Sequence, residues 1–117
     1  MTNGDQNNAG HGSTVVDAPD HHRYEIHVDG QRAGFAAYID ADNQRIFHHT
    51  VIDDEHSGQG LAGELVAAAL SRTRDAGKRI VPVCSYVARF VEKHHDFDDV
   101  VDPVTPAALE IAQAENK

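Results

Sequence analysis

"DDEHSGQGLAGELVAAAL", residues 53–70, governs how the rest of the chain is read. Gly58 and Gly60 stand two apart, and an alanine-rich apolar run begins directly after them. Inside a helix a glycine is roughly 1 kcal/mol less favourable than alanine. Glycines where a helix should start therefore mark a need for bare backbone. Within the run Ala62, Leu65, Val66, Ala69 and Leu70 recur at helical spacing and make one apolar stripe. Ser57 is the expected N-cap, Arg72 and Arg74 suit the negative end of the dipole, and Gly77 closes the helix as a left-handed cap.

On the N-terminal side, "RYEIHV" (23–28) sets Tyr24, Ile26 and Val28 against Arg23, Glu25 and His27, the period of a half-buried strand. Asp29-Gly30 is a hairpin signal. "QRAGFAAYI" (31–39) alternates again, with Ala33, Phe35, Ala37 and Ile39 assigned to one face. A turn at "DADN" leads into a third strand, "QRIFHHTVI" (44–52). On the C-terminal side, "RIVPVC" (79–84) is apolar on both faces apart from Arg79 and reads as a central, covered strand. Pro82 offers no N–H to a ladder, so it fits only where the strand parts from a neighbour. A second helix over about Ser85 to His94 packs Val87, Phe90 and Val91, and "PAALEIAQAENK" (106–117) forms a short terminal helix. The fold class is mixed α/β (α+β): a three-stranded antiparallel meander, glycine loop, helix, fourth central strand and second helix.

The 117 residues suit one domain. The polar opening is expected to be a disordered tail over 1–21, ahead of a domain over 22–102 and a C-terminal tail or short helix over 103–117. Neither a signal peptide nor a transmembrane run is expected. Ten Lys and Arg against 19 Asp and Glu, a net charge of −9, argue against a nucleic-acid partner. The single cysteine, Cys84, excludes an internal disulfide and fits a reducing, cytoplasmic setting. Of the nine histidines, His21-His22, His48-His49 and His94-His95 are adjacent pairs, and neighbours on a strand point to opposite faces. No helical H-x-x-x-H spacing or cysteine–histidine cluster is present, so no metal site is expected.

A strand, a glycine-bearing turn and a helix N-terminus together make an anion site, because unpaired N–H groups and the helix dipole both favour negative charge. The ligand therefore carries phosphate. A P-loop needs Gly-Lys-Ser/Thr, which is missing, and a dinucleotide fingerprint belongs after the first strand of a parallel unit, whereas this loop follows an antiparallel meander. "SGQGLAGEL" (57–65) instead resembles the acetyl-CoA pyrophosphate loop of the GNAT N-acetyltransferases. Gly60 and Ala62 match its last two fixed positions, Gly58 and Gln59 suit the loop between, and Ser57 stands where the family has Arg or Gln.

Three more stretches resemble a small, truncated branch of that family. They are the His49-Thr50 strand leading into the loop, "VPVCSYV" with Cys84, Tyr86 and Val87, and "KHHDFDDVV" with Lys93, His94, Phe97, Asp99 and Val101. The resemblance runs from about Tyr24 to Val101 with order and spacing kept. Val51 stands where an acidic residue is common, and Ser85 and His95 replace prolines.

This resemblance implies acetyl-CoA as cofactor and acetyl transfer to a primary amine, either a small molecule or a lysine side chain. Pantetheine would lie between two splayed strands against the backbone of Val51 and Ile52. The pyrophosphate would face the N–H groups of the loop: Ser57, Gly58, Gln59, Gly60, Leu61 and Ala62. Cys84, at a strand end before a helix, is a candidate proton donor to the CoA thiolate or acetyl acceptor, and otherwise a small buried hydrophobe. His49 is the candidate base or water-positioning group. Tyr86 and Phe97 are read as core aromatics, and His94 as structural at a helix end. A CoA-binding module without turnover, and an interaction domain with no cofactor, are the competing readings. A monomer or weak homodimer is expected.

Overall fold

A computed structural model describes residues 12–56 and 58–115. Five strands, β1 (Ser13–Ala18), β2 (Arg23–Val28), β3 (Gln31–Ala41), β4 (Gln44–Ile52) and β5 (Arg79–Pro82), form one sheet in the order β1-β2-β3-β4-β5. The first four are antiparallel neighbours, and β5 runs parallel to β4. Helices α1 (Leu61–Asp75) and α2 (Ser85–Lys93) cover one face, and α3 (Pro106–Glu115) covers the β4–β5 corner of the other.

The turns follow from residues that tolerate positive φ. Asp29 and Gly30 take φ of 51° and 83°, the left-handed pair of a two-residue hairpin, and Asp42 at 54° turns β3 into β4. On β2 the expected alternation holds, with Tyr24, Ile26 and Val28 buried. On β3 it slips by one. Ile26 pairs with Gly34 and His27 with Arg32, which leaves Ala33 as an extra residue. Past that bulge the buried residues are Gly34, Ala36 and Tyr38, while Phe35, Ala37 and Ile39 lie half-buried on the far face. One inserted residue inverts the facing of everything after it.

The main core gathers Tyr24, Ile26, Phe47, Leu65, Leu70, Ile80 and Val87 between the sheet and α1–α2. Each such side chain, fully buried, contributes about 1.5–3 kcal/mol. A smaller cluster of Ile46, Val81, Ala108 and Ala112 holds α3. That helix begins at Pro106 behind Thr105, whose Oγ1 accepts the Ala108 N–H at 3.1 Å. At the other end of α1 the Gly77 N–H donates to Arg74 O and the Lys78 N–H to Thr73 O, with Gly77 at φ 77°. This is the expected left-handed cap in its two-bond form.

Three expectations need correction. The segment assigned to a disordered tail over 1–21 contains β1, paired with β2 from Ser13 to Ala18 and anchored by the buried Val15; residues 1–11, including His11, lie outside the described residues. The α1 N-cap is Gly60, with no side-chain cap, and Ser57 lies outside the described residues. The strand expected to be central, β5, is last in the ladder. It reads as buried because helices cover both faces and residues 100–102 close its outer edge. There the Ile80 N–H donates to Val100 O and the Asp102 N–H to Ile80 O, both at 2.8 Å.

Candidate functional site

The site is built where β4 outlasts β5. Pairing between them runs only from Gln44–Arg79 to Phe47–Pro82. A last bond, from the Cys84 N–H to Phe47 O at 2.8 Å, closes the ladder before the chain turns into α2. Pro82 therefore sits where the strands part, and β4 runs on from His49 to Ile52 past the last β4–β5 pair.

A second bulge sets what that stretch presents. Tyr38 pairs with Phe47 and Ala37 with His49, so His48 is the extra residue of β4. Beyond it the Asp53 N–H donates to Ala33 O at 2.8 Å, which fixes the alternation. The backbone groups of His49, Val51 and Asp53 face β3, and those of Thr50 and Ile52 face the gap. Gly34 packs so tightly against Val51 O that an added Cβ would collide with it, which also directs that carbonyl toward β3. Ile52 is thus on the expected edge, but its companion there is Thr50 rather than Val51.

Across the gap, Cys84 is the α2 N-cap, with extended φ/ψ of −63° and 131°. Its Sγ lies 3.3 Å from Thr50 Oγ1, so the thiol and hydroxyl meet at the floor of the gap. His49 is not brought to them. Adjacent strand residues point oppositely, and the exposed His49 ring lies 6.1 Å from that of Phe35 on the far face. Arg23 stacks on the same Phe35 at 4.7 Å. Burial would raise the neighbouring Glu25 carboxyl, but bonds from Arg23 at 2.8 Å and His27 at 3.0 Å hold it below its ordinary range.

From Ile52 the chain passes a 3₁₀ turn, Asp54–His56, into the glycine loop. Gly58 and Gly60 adopt φ of 79° and 74°. That conformation is why glycine is needed at the head of the helix. An added Cβ at either would meet nothing within 4 Å, so the loop also leaves room for a ligand. The first-turn N–H groups of α1, from Leu61 to Gly63, have no intrahelical acceptor and open outward. Leu61 buries its side chain and Ala62 is half-buried, so both offer only backbone, while Gln59 is exposed. Positive-φ glycines, open space and unpaired N–H groups fit a pyrophosphate.

Beside Gly63, a cavity of about 270 Å³ is lined by Tyr86, Arg89, Phe90 and Lys93 of α2 and by His94 just past its end. Tyr86, expected in the core, is 40% exposed here; Phe97, also expected there, is buried. His94 is the α2 C-cap, with its ring 4.3 Å from Phe90. Sequence reading missed Thr50, Arg89 and Phe90 as site residues. The signal for the helical ones was their spacing with Tyr86, at i+3 and i+4. Among the described residues no three His, Cys, Asp or Glu side chains gather to hold a metal, and no helix is long and apolar enough to cross a membrane.

A protein-family model described as GCN5-related N-acetyl-transferase matches residues 23–100. Among solved structures, the chain is similar to a GCN5-like candidate N-acetyltransferase from Staphylococcus aureus determined by NMR. The TM-score is 0.60 at 22% identity, over 80% of this chain and 91% of that one. At that identity the likeness speaks to the fold alone. No curated protein matches the chain.

Proposed function

The chain belongs to the GCN5-related N-acetyltransferase family, and from that premise we propose that it binds acetyl-CoA in the β4–β5 gap and transfers the acetyl group to a primary amine. The observation that carries the reading is the meeting of three features at one end of the sheet: the parted strands, the Thr50–Cys84 contact of 3.3 Å, and the left-handed glycine loop. The lone cysteine suits a reducing cytoplasm.

Acetyl-CoA supplies an activated acyl thioester. The N–H groups of the loop and first turn of α1 receive the pyrophosphate. Thr50 and Ile52 offer backbone donors and acceptors to the amide-bearing arm, as a strand edge does. As the amine nitrogen bonds to the acyl carbon and the C–S bond breaks, Cys84 gives its thiol proton to the departing sulfur and regains one from the nitrogen. Thr50 holds the thiol at the gap floor. His49 does not serve as the base in this arrangement, because it faces the other way.

The same placement of His49 favours a second reading, a CoA-binding module with little turnover. Release of free CoA thiol, followed with and without a panel of primary amines, separates the two. Amine-dependent release supports transfer. Binding of acetyl-CoA with no release under any amine leaves the module.

A further inference from the structure

A second cavity, of about 250 Å³, opens at the other end of the sheet, where β1 ends, β2 begins and β3 turns into β4. Asp17, Pro19, His22, Tyr38, Asp40 and Arg45 line it. Arg45 stands five residues before Thr50 on β4, about 15 Å along the strand, so this cavity is separate from the gap and the glycine loop. Its mouth is held by backbone. The His22 N–H donates to Pro19 O at 3.1 Å, and His22 O accepts the Tyr38 N–H at 2.9 Å.

Tyr38 and Arg45 form the inner wall, 4% and 8% exposed. A buried guanidinium needs a counter-charge, and Arg45 has one. Its Nε and Nη2 donate to the two Asp40 oxygens at 2.7 and 2.9 Å, and its Nη1 donates to Tyr24 Oη. The positive charge of Lys78 also acts on Asp40. Asp40 is therefore already neutralised. Asp17 is not: it is exposed, its Oδ1 accepts the Tyr38 hydroxyl at 2.7 Å, and no described residue forms an ion pair with it. Burial first, and then that bond, push the Tyr38 hydroxyl above its ordinary range. The phenol thus keeps its proton, gives it to Asp17, and has only lone pairs left to offer a ligand. A carboxylate and a hydroxyl acceptor, beside donors already used, call for a ligand that brings both N–H groups and positive charge. Pro19 and Ile39 add carbon surface for an alkyl chain behind such a head group.

We propose that this cavity binds the ammonium head of a primary alkylamine, with Asp17 as counter-ion and Tyr38 Oη as second acceptor, at a site distinct from that of acetyl transfer. The inference does not rest on the acetyl-CoA reading, since it concerns amine binding with no CoA present.

Titration of the labelled full chain with n-butylamine at about pH 7, where an alkylamine is protonated, tests it by backbone-amide NMR, with 1-butanol as the uncharged control. The amides of Asp17, His22, Tyr38 and Asp40 should shift together and saturate at millimolar amine, and 1-butanol should leave them in place. Asp17→Asn keeps an oxygen for the Tyr38 hydroxyl but loses the charge, and should weaken the amine roughly tenfold or more while the amide pattern elsewhere stays that of the folded wild type. Shifts that climb without saturating, an equal response to 1-butanol, or wild-type affinity in Asp17→Asn would overturn the assignment. Shifts confined to Thr50, Ile52 and Cys84 would place the amine at the transfer site alone, overturning this site and leaving the acetyl-transfer reading in place.

Discussion

Replacing Gly34 with alanine would drive a Cβ into the neighbouring strand. The new atom would lie 2.6 Å from Ile52 Cδ1 and 3.1 Å from Ile52 Cα, and closer still to Val51 O. Ordinary carbon contacts are about 3.5–4.0 Å. The Ile52 methyl can turn away, but Val51 O belongs to the β3–β4 ladder, so the strands themselves must separate. Overpacking of this kind costs about 1–3 kcal/mol. Relief of a strand-interior glycine offsets roughly 0.5–1 kcal/mol of that. The net loss is about 1–2 kcal/mol, or a Tm lowered by roughly 5–15 °C. Gly63→Ala is the internal contrast: its Cβ meets only Tyr86 Oη, at 3.7 Å, and a helical alanine should gain roughly 0.5–1 kcal/mol. Thermal melts by circular dichroism, with urea titrations for the free energies, measure both. A Gly34→Ala protein that melts at or above the wild-type temperature refutes the register deduced for β3 and β4.

Gly58→Ala and Gly60→Ala should each cost about 1–2 kcal/mol of stability for the forced left-handed residue and weaken acetyl-CoA more than they weaken the fold; calorimetry beside melts tells the two apart. Cys84→Ala should leave acetyl-CoA affinity within about twofold and lower amine-dependent turnover by about a hundredfold or more, whereas unchanged turnover would reduce Cys84 to packing. The Asp102 carboxyl is held below its ordinary 3.8 first by the Gln44 amide at 2.8 Å, then by Arg79 at 2.7 Å, with partial burial opposing. A lowered folded-state pKa gives stability that is fully present above the unfolded value and lost as pH falls through the folded one. Asp102→Asn should therefore melt below wild type at pH 7, and the difference should shrink below about pH 4; melts across pH 2–7 that stay parallel would contradict this.

The parts of the fold legible in the sequence are those written in local chemistry. Asp29-Gly30, the α1 stripe and Gly77 each announce themselves through conformational preference or period, and each is found in place. The two bulges do not. Ala33 and His48 are single extra residues that only a partner strand reveals, yet they decide that Ala36 and Tyr38 enter the core and that Thr50 accompanies Ile52 at the gap. Strand β1 was hidden because only Val15 of its six residues is buried, so its sequence looks like the polar tail around it. The left-handed glycine turn at the head of α1 was legible from sequence alone. The cavity along α2 was not, since Arg89 and Lys93 read as ordinary exposed positions until α2 is set beside Gly63.

The most direct test of the account is a titration of isotopically labelled protein with acetyl-CoA, following each backbone amide by NMR. Shifts centred on Gly58 to Gly63, and reaching Thr50, Ile52 and Cys84, are the predicted result. Silence at these amides with millimolar acetyl-CoA would mean that Gly58 and Gly60 only turn the chain into α1, and the proposed acetyl transfer would fall with them.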